Sequence, residues 1–341
     1  MELGIIFGNI PSSVSERDHF DSILRQAEAA QEAGMTHLVM GQHFLFEDSR
    51  WFQPVPVLAR LAGELDDSIS LCTQILIAPL YPPALLAEEL ATLDVVTGGR
   101  LKVGLGIGYI PKEYETFGVP FKERGSRLDE TIEILKQLWT QDRVTFHGKH
   151  FTLDDVAVQT KPLQDPHPPI WIGAGSDAGI RRAARVDAHW PITPQAEVDT
   201  LPDLLGKFFD FREEAGLSRT GRQPLRREIM LGDSREDALH RAVLAASEWY
   251  FNMSRQGTGA YVTPEELRAS VEKTMAAHWV LGTADDVAAQ LRDIAATVPV
   301  DPIITRANWP GMTSDDSVEY IRRLGRELVP QIKDFEGVDS L

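Results

Sequence analysis

Apolar residues in this chain fall into two alternating patterns. Short continuous runs predict buried strands, and longer stretches with a period near 3.6 predict helices. Residues 3–8 form an apolar run, and residues 18–33 then place Phe20, Ile23, Leu24, Ala27 and Ala30 on one helical face before Gly34. The alternation continues with strand 36–40, helix 55–65, strand 69–77, helix 83–96, strand 101–105 and helix 124–139. Strand 169–173, helix 177–185, strand 188–192, helix 198–215, strand 225–231, helix 235–251, strand 301–307 and helix 315–329 complete it. Strands alternating with helices imply parallel βαβ units. Eight such strands close best as a (β/α)8 TIM barrel, one α/β domain over residues 1–341; an open doubly wound sheet is the alternative.

Three stretches break the alternation. Residues 144–168 begin with apolar and polar positions alternating about Gly148, which predicts a β-hairpin. Residues 252–263, within an insertion running to about residue 280, are rich in Gly, Ser and Gln, as in mobile active-site loops. Residues 41–54 form an aromatic loop after the second strand. Insertions are expected at the C-terminal face of the strands, where a barrel gathers its site.

The stretch 92–108 organises the rest. A helical repeat through Leu90, Leu93 and Val96 stops at Thr97-Gly98-Gly99-Arg100, and a strand follows that ends on Gly104, Gly106 and Gly108. Glycines there let a flat ligand approach the backbone. The spacing lacks the third glycine of a dinucleotide fingerprint, and Pro111 is read as preventing a helix from opening directly behind it. A second signal is residues 170–176, Ile-Trp-Ile-Gly-Ala-Gly-Ser, ahead of a helix. Backbone N–H groups and a hydroxyl gathered at a helix start suit a phosphate, and Ser176 or Asp177 equally reads as an N-cap.

The glycine strand, followed by Glu113, Phe117-Gly118-Val119, Arg124, Arg127, Glu130 and Leu138-Trp139, with 168–173 and Gly282-Thr283 further on, resembles the bacterial luciferase-like flavin monooxygenase family. The resemblance implies a barrel that uses reduced FMN from a separate flavin reductase, and dioxygen, to oxygenate a small hydrophobic molecule. It also admits a relative using the deazaflavin coenzyme F-420 for hydride transfer, and a barrel that binds flavin without catalysis. A homodimer is implied as well. By the same resemblance Gly173, Gly175 and Ser176 take the flavin phosphate. Thr73 and Gln74 lie where relatives carry a non-proline cis peptide under the flavin ring, and Gly106, Gly108 and Tyr109 border the cofactor. Relatives often carry two adjacent histidines where this chain has Gln42-His43, so His43 matches the second and Gln42 the first.

Among residues just past predicted strands, His43 is the group that titrates near neutrality, which suits a general acid or base. Phe44, Phe46 and Trp51, with Trp190 and Trp309 at other strand ends, are expected to line an apolar substrate pocket. Arg306 is read as a partner for an anionic substrate group or for a nearby carboxylate. Glu113 and Glu115 with Arg124 and Arg127 read as salt bridges around a helix entry. His147 and His150 lack a carboxylate at ligand spacing, and strand ends lack the H-x-H or D-x-D of a metal-dependent barrel hydrolase, so no metal site is expected.

Composition narrows the partners. Apolar residues make up 43% of the chain, enough for a large core, without a run long enough to span a bilayer. The start lacks the basic-then-apolar pattern of a secretion signal, so a cytoplasmic location is expected. A net charge of -17 opposes binding to nucleic acid. Cys72, inside an apolar run, reads as a small core residue.

Overall fold

Residues 1–8, 10–11, 13–47, 49–255, 275, 277–309 and 312–341 are described by the computed structural model. They divide into two units: Leu38–Trp190 with Pro11–Ser13, and Met1–Ile10, Val14–His37 and Pro191–Leu341. In both, parallel strands alternate with helices. No helix of the described residues is long and apolar enough to cross a membrane.

In the first unit the glycine strand Leu101–Gly106 is central. It pairs in parallel with Ser70–Thr73 and Leu76–Ile77 on one side and with Ile170–Ile172 on the other. Leu71, Cys72, Val103, Leu105 and Ile172 are buried, as are Leu58 and Leu61, Leu86 and Leu90, and Leu135 and Leu138 of the helices Pro54–Ala62, Pro83–Val96 and Arg124–Thr140. Trp139 bridges two of those helices, its indole N–H donating to the Ala87 carbonyl at 3.1 Å. The Thr97–Arg100 stretch is a helix stop with a strap. Gly98 and Gly99 take φ of 66° and 79°, where a side chain is strained. Arg100 then donates to the carbonyls of Thr97, Asp66 and Ala62, satisfying a carbonyl at the end of the preceding helix.

The predicted hairpin is present as Val144–His147 against Thr152–Val156. The Glu130 carboxylate holds its turn by accepting the amides of Lys149, His150 and Phe151. Arg124 and Arg127 do not form the expected salt bridges with Glu113. They donate to the carbonyls of Phe121 and Pro79, and their guanidiniums lie over the rings of Phe121 and Phe151.

Two expectations in this unit are corrected. The strand expected over 69–77 is interrupted at Gln74–Ile75, whose peptide bond is cis. Pro111 does not delay a helix but starts one, Pro111–Thr116, because its missing N–H and fixed φ are harmless at the first helical position.

In the second unit Leu3–Phe7, Val300–Arg306 and Gln223–Arg226 form a parallel ladder, with Leu3 and Leu225 both opposite Ile303. The strand expected over 225–231 splits, and its second part, Ile229–Leu231, pairs with Val280–Gly282, a strand the alternation had not supplied. The helix Ala284–Thr297 behind it opens with a Thr283–Asp286 capping box. The strand expected over 188–192 is reduced to isolated bridges at His189 and Ile192. Met230, Ala238, Ala242, Trp279, Leu281 and Trp309 form a core cluster here. The helix expected to end at residue 251 runs as Arg235–Arg255. The remainder of the Gly/Ser/Gln-rich loop, 256–263, lies outside the described residues.

Candidate functional site

Strand His37–Met40 ends in a turn whose side chains build a closely hydrogen-bonded cluster in the first unit. Gln42 is buried and fully engaged. Its Nε2 donates to Gln53 Oε1 at 2.8 Å and to the Tyr81 hydroxyl at 2.6 Å, and its Oε1 accepts the Ile77 amide at 2.8 Å. An amide with both donors occupied is a brace for the strand Leu76–Ile77 and the helix Pro54–Ala62 that follows Gln53.

His43, next along the turn, presents both ring nitrogens to polar partners. Nδ1 lies 3.2 Å from Oε1 of Glu113, and Nε2 lies 3.2 Å from the Tyr109 hydroxyl. Glu113 sits on the helix that Pro111 begins and is fully buried. The same Oε1 accepts the Phe44 amide at 2.7 Å, while Oε2 has no partner. A carboxylate has no hydrogen to give, so Nδ1 carries the proton and Nε2 offers its lone pair, which accepts from Tyr109. Burial and the Glu113 charge push the Tyr109 phenol up to about 12, so it remains a donor at neutral pH. The rings of Trp51, Phe46 and Tyr109 surround the imidazole at centroid distances of 4.7, 5.0 and 5.3 Å.

Space around the glycine strand is used differently from the expectation of bare backbone. A Cβ on Gly104 would meet the Thr73 carbonyl oxygen at 1.9 Å, and one on Gly106 would meet Cδ1 of Ile75 at the same distance. Gly173 also faces Ile75, at 2.8 Å. These glycines therefore admit the Thr73 carbonyl and the Ile75 side chain, an apolar knob between two strand ends. Thr73 Oγ1 is tied to the backbone of Gly104 from both sides, donating to its carbonyl and accepting its amide. Gln74 Oε1 is buried without a partner. Gly108 has φ of 61° and packs on Ile77.

Gly175 has open space beside it, and the Ser176 hydroxyl caps the helix Asp177–Arg185 by accepting the Gly179 amide at 3.4 Å. Trp190 supports this turn from beneath, with Nε1 donating to the Ala174 carbonyl at 2.9 Å; it is buried and lines no open wall. Of the other expected substrate contacts, Phe46 and Trp51 stand against His43, whereas Phe44 turns to Phe117 at 4.9 Å. Arg306 and Trp309 belong to the second unit. Trp309 stacks on Trp279 at 4.6 Å, and Arg306 lies over the Trp309 ring, 4.0 Å from Glu228. The carboxylate alternative for Arg306 is thus present. His147 and His150 pair with Asp154 and Glu123, and among the described residues no group of three or more His, Cys, Asp or Glu is placed to hold a metal.

Residues 1–301 match the luciferase-like monooxygenases. The chain belongs to this family. An uncharacterised protein of Mycobacterium tuberculosis is 36% identical over 171 residues, which is 50% of this chain and 58% of that protein's length. The oxygenase component of a flavin-dependent trigonelline monooxygenase of Acinetobacter baylyi is 27% identical, across 82% of this chain and 81% of its own. An F420-dependent hydroxymycolic acid dehydrogenase of Mycobacterium tuberculosis is 29% identical, across 79% and 74%. The oxygenating constituent of 3,6-diketocamphane monooxygenase of Pseudomonas putida, solved with FMN, superposes with a TM-score of 0.82 over 99% of both chains at 18% identity. That likeness shows a luciferase-like α/β fold built on a curled parallel sheet. In the sequence Glu113 reads as a salt-bridge partner around a helix entry; the signal that marks it out is Pro111, two residues earlier, at a helix start.

Proposed function

We propose that this luciferase-like protein is the oxygenase component of a two-component monooxygenase that takes reduced FMN from a separate reductase and oxygenates a small, largely apolar molecule. The observation that carries this reading is His43. It is held by Glu113 with its Nε2 lone pair turned toward Tyr109 and walled by Phe46 and Trp51. The trigonelline and diketocamphane relatives support the choice of chemistry.

The residues present fit a flavin mononucleotide. Gly175 leaves room beside a helix start where the Ser176 hydroxyl and the helix N-terminus favour a phosphate, and Ile75 offers an apolar support for a flat ring. The buried Gln74 Oε1 and Glu113 Oε2 have acceptor capacity that no described protein group uses. When bound, reduced FMN supplies the electrons with which dioxygen is reduced.

The chain's own residues then have three tasks. Phe46 and Trp51 exclude water from the imidazole. His43 takes or returns a proton at Nε2, passing it through the Tyr109 hydroxyl when the two are hydrogen-bonded. Glu113 fixes the tautomer and stabilises the ring when it is charged, as an orienting carboxylate does for a catalytic histidine. Gln42, with its donors occupied, holds the turn that carries His43.

A second reading, hydride transfer with coenzyme F-420, draws on the dehydrogenase relative. The net charge of -17 disfavours the acidic tail of that cofactor. The experiment is turnover with a flavin reductase and small aromatic and aliphatic substrates under isotopically heavy dioxygen. Heavy oxygen in the product supports the monooxygenase. Anaerobic oxidation or reduction of a substrate with coenzyme F-420 replaces it with the second reading.

A further inference from the structure

Among the described side chains, Tyr109 is the tyrosine whose hydroxyl meets a base. It donates to Nε2 of His43 at 3.2 Å. Tyr114 and Tyr320 donate instead to the carbonyls of Ile107 and Ile229, and the Tyr81 hydroxyl accepts from the Gln42 amide. Carbonyls and amides do not take up a proton near neutrality, whereas an imidazole does. Behind the imidazole, Oε1 of the buried Glu113 lies 3.2 Å from Nδ1, so the positive charge left by a transferred proton has a carboxylate beside it.

This line of three groups bears on electrons as well as protons. A phenol that loses one electron becomes a very strong acid, and the loss is favourable only when the proton leaves with it. Burial and the Glu113 charge push the Tyr109 phenol up to about 12, so it does not ionise beforehand and needs an acceptor at the moment of oxidation. Trp51 is the other oxidisable ring against His43, with centroids 4.7 Å apart, and its indole N–H has no partner. Oxidation of Trp51 therefore has no proton acceptor in place, and oxidation of Tyr109 has one. Tyr109 is also 48% exposed, within reach of soluble reductants.

We propose that Tyr109 is a redox-active tyrosine, which gives one electron to an oxidising radical beside His43 and its hydroxyl proton to His43 Nε2. With an organic peroxyl radical as oxidant, the radical gains the electron and becomes the peroxide anion. The Tyr109 O–H bond breaks, leaving a neutral tyrosyl radical and an imidazolium held by Glu113. A thiolate at the surface then returns one electron, becoming a thiyl radical, and His43 returns the proton. The cycle spends a soluble thiol and spares Trp51. The inference stands without the flavin reading, because its test needs an oxidant alone.

The test oxidises the full chain, with no flavin present, by a photogenerated ruthenium(III) polypyridyl complex, and follows the tyrosyl radical by transient absorption and electron paramagnetic resonance. A neutral tyrosyl radical is expected in the wild type, and Tyr109→Phe removes most of it. His43→Gln keeps a polar side chain but takes away the base, and slows radical formation about tenfold or more. Added imidazole restores part of the rate in His43→Gly, a rescue that a merely structural histidine does not give. Thermal melts establish that the variants are folded; if His43→Gly does not fold, Glu113→Gln takes its place and slows the reaction by removing the charge beside the imidazolium. A radical yield unchanged by Tyr109→Phe, or a rate unchanged in His43→Gln, overturns the proposal.

Discussion

One oxygen of Glu113 holds both the ring and the backbone of the His43 turn. Oε1 lies 3.2 Å from Nδ1 of His43 and 2.7 Å from the Phe44 amide, a contact closed across seventy residues of sequence. The ring cannot rotate without breaking that pair, and the turn cannot shift without releasing the amide. Glu113→Gln preserves an acceptor for Phe44 but removes the charge that selects the Nδ1–H tautomer. Turnover is expected to fall about a hundredfold, mostly in kcat, while thermal stability changes little. Unchanged turnover would remove Glu113 from the site.

Tyr109 provides a pH signature. Its phenol is pushed up from 10.0 to about 12 by burial and then by the Glu113 charge. Between these values the unfolded chain gives up the tyrosine proton while the folded chain keeps it. The folded state then binds more protons, so stability falls as pH rises through this window. The wild type should lose stability between pH 10 and about 12 more steeply than Tyr109→Phe, read from urea unfolding. Parallel curves would mean that the hydroxyl is not held as described.

Gln42 has a structural signature of its own. Gln42→Ala strips partners from the Tyr81 hydroxyl and Gln53, and leaves the buried Ile77 amide unsatisfied. A loss of about 1–3 kcal/mol in denaturant unfolding is expected. A neutral result would show that the brace contributes nothing.

Gly106 and Ile75 are predicted to couple. Gly106→Ala places a methyl 1.9 Å from Cδ1 of Ile75 and should cost about 1–3 kcal/mol. Shortening Ile75 to Ala removes the clashing atom, so the double variant should be more stable than the sum of the single losses predicts, by about 1 kcal/mol. Simple additivity would mean that the two residues do not share this space.

The alternation of strands and helices was legible because each element carries its own period. Residues 101–105 and 83–96 are cases in point, their burial patterns matching a strand and a helix stopped by Gly98 and Gly99. Less legible were features whose cause lies elsewhere in the chain. The strand Val280–Gly282 is only three residues long and is defined by pairing with Ile229–Leu231. The Thr283–Asp286 capping box behind it was a local signal that went unread. Glycine spacing suggested open backbone, whereas Gly106 makes room for Ile75, from the break between Ser70–Thr73 and Leu76–Ile77. His43 was legible because a histidine directly after a predicted strand suits proton transfer. Glu113 was missed because the hydrogen bond that defines it joins residues far apart in sequence.

The most direct test of the account is an anaerobic titration of the full chain with reduced FMN and, separately, with reduced coenzyme F-420, followed by calorimetry. Binding of reduced FMN with a dissociation constant of about 10 μM or tighter, weakened by removing the Ser176 hydroxyl as Ser176→Ala, with little or no binding of coenzyme F-420, is the predicted result. Tight binding of coenzyme F-420 with none of FMN would contradict the account.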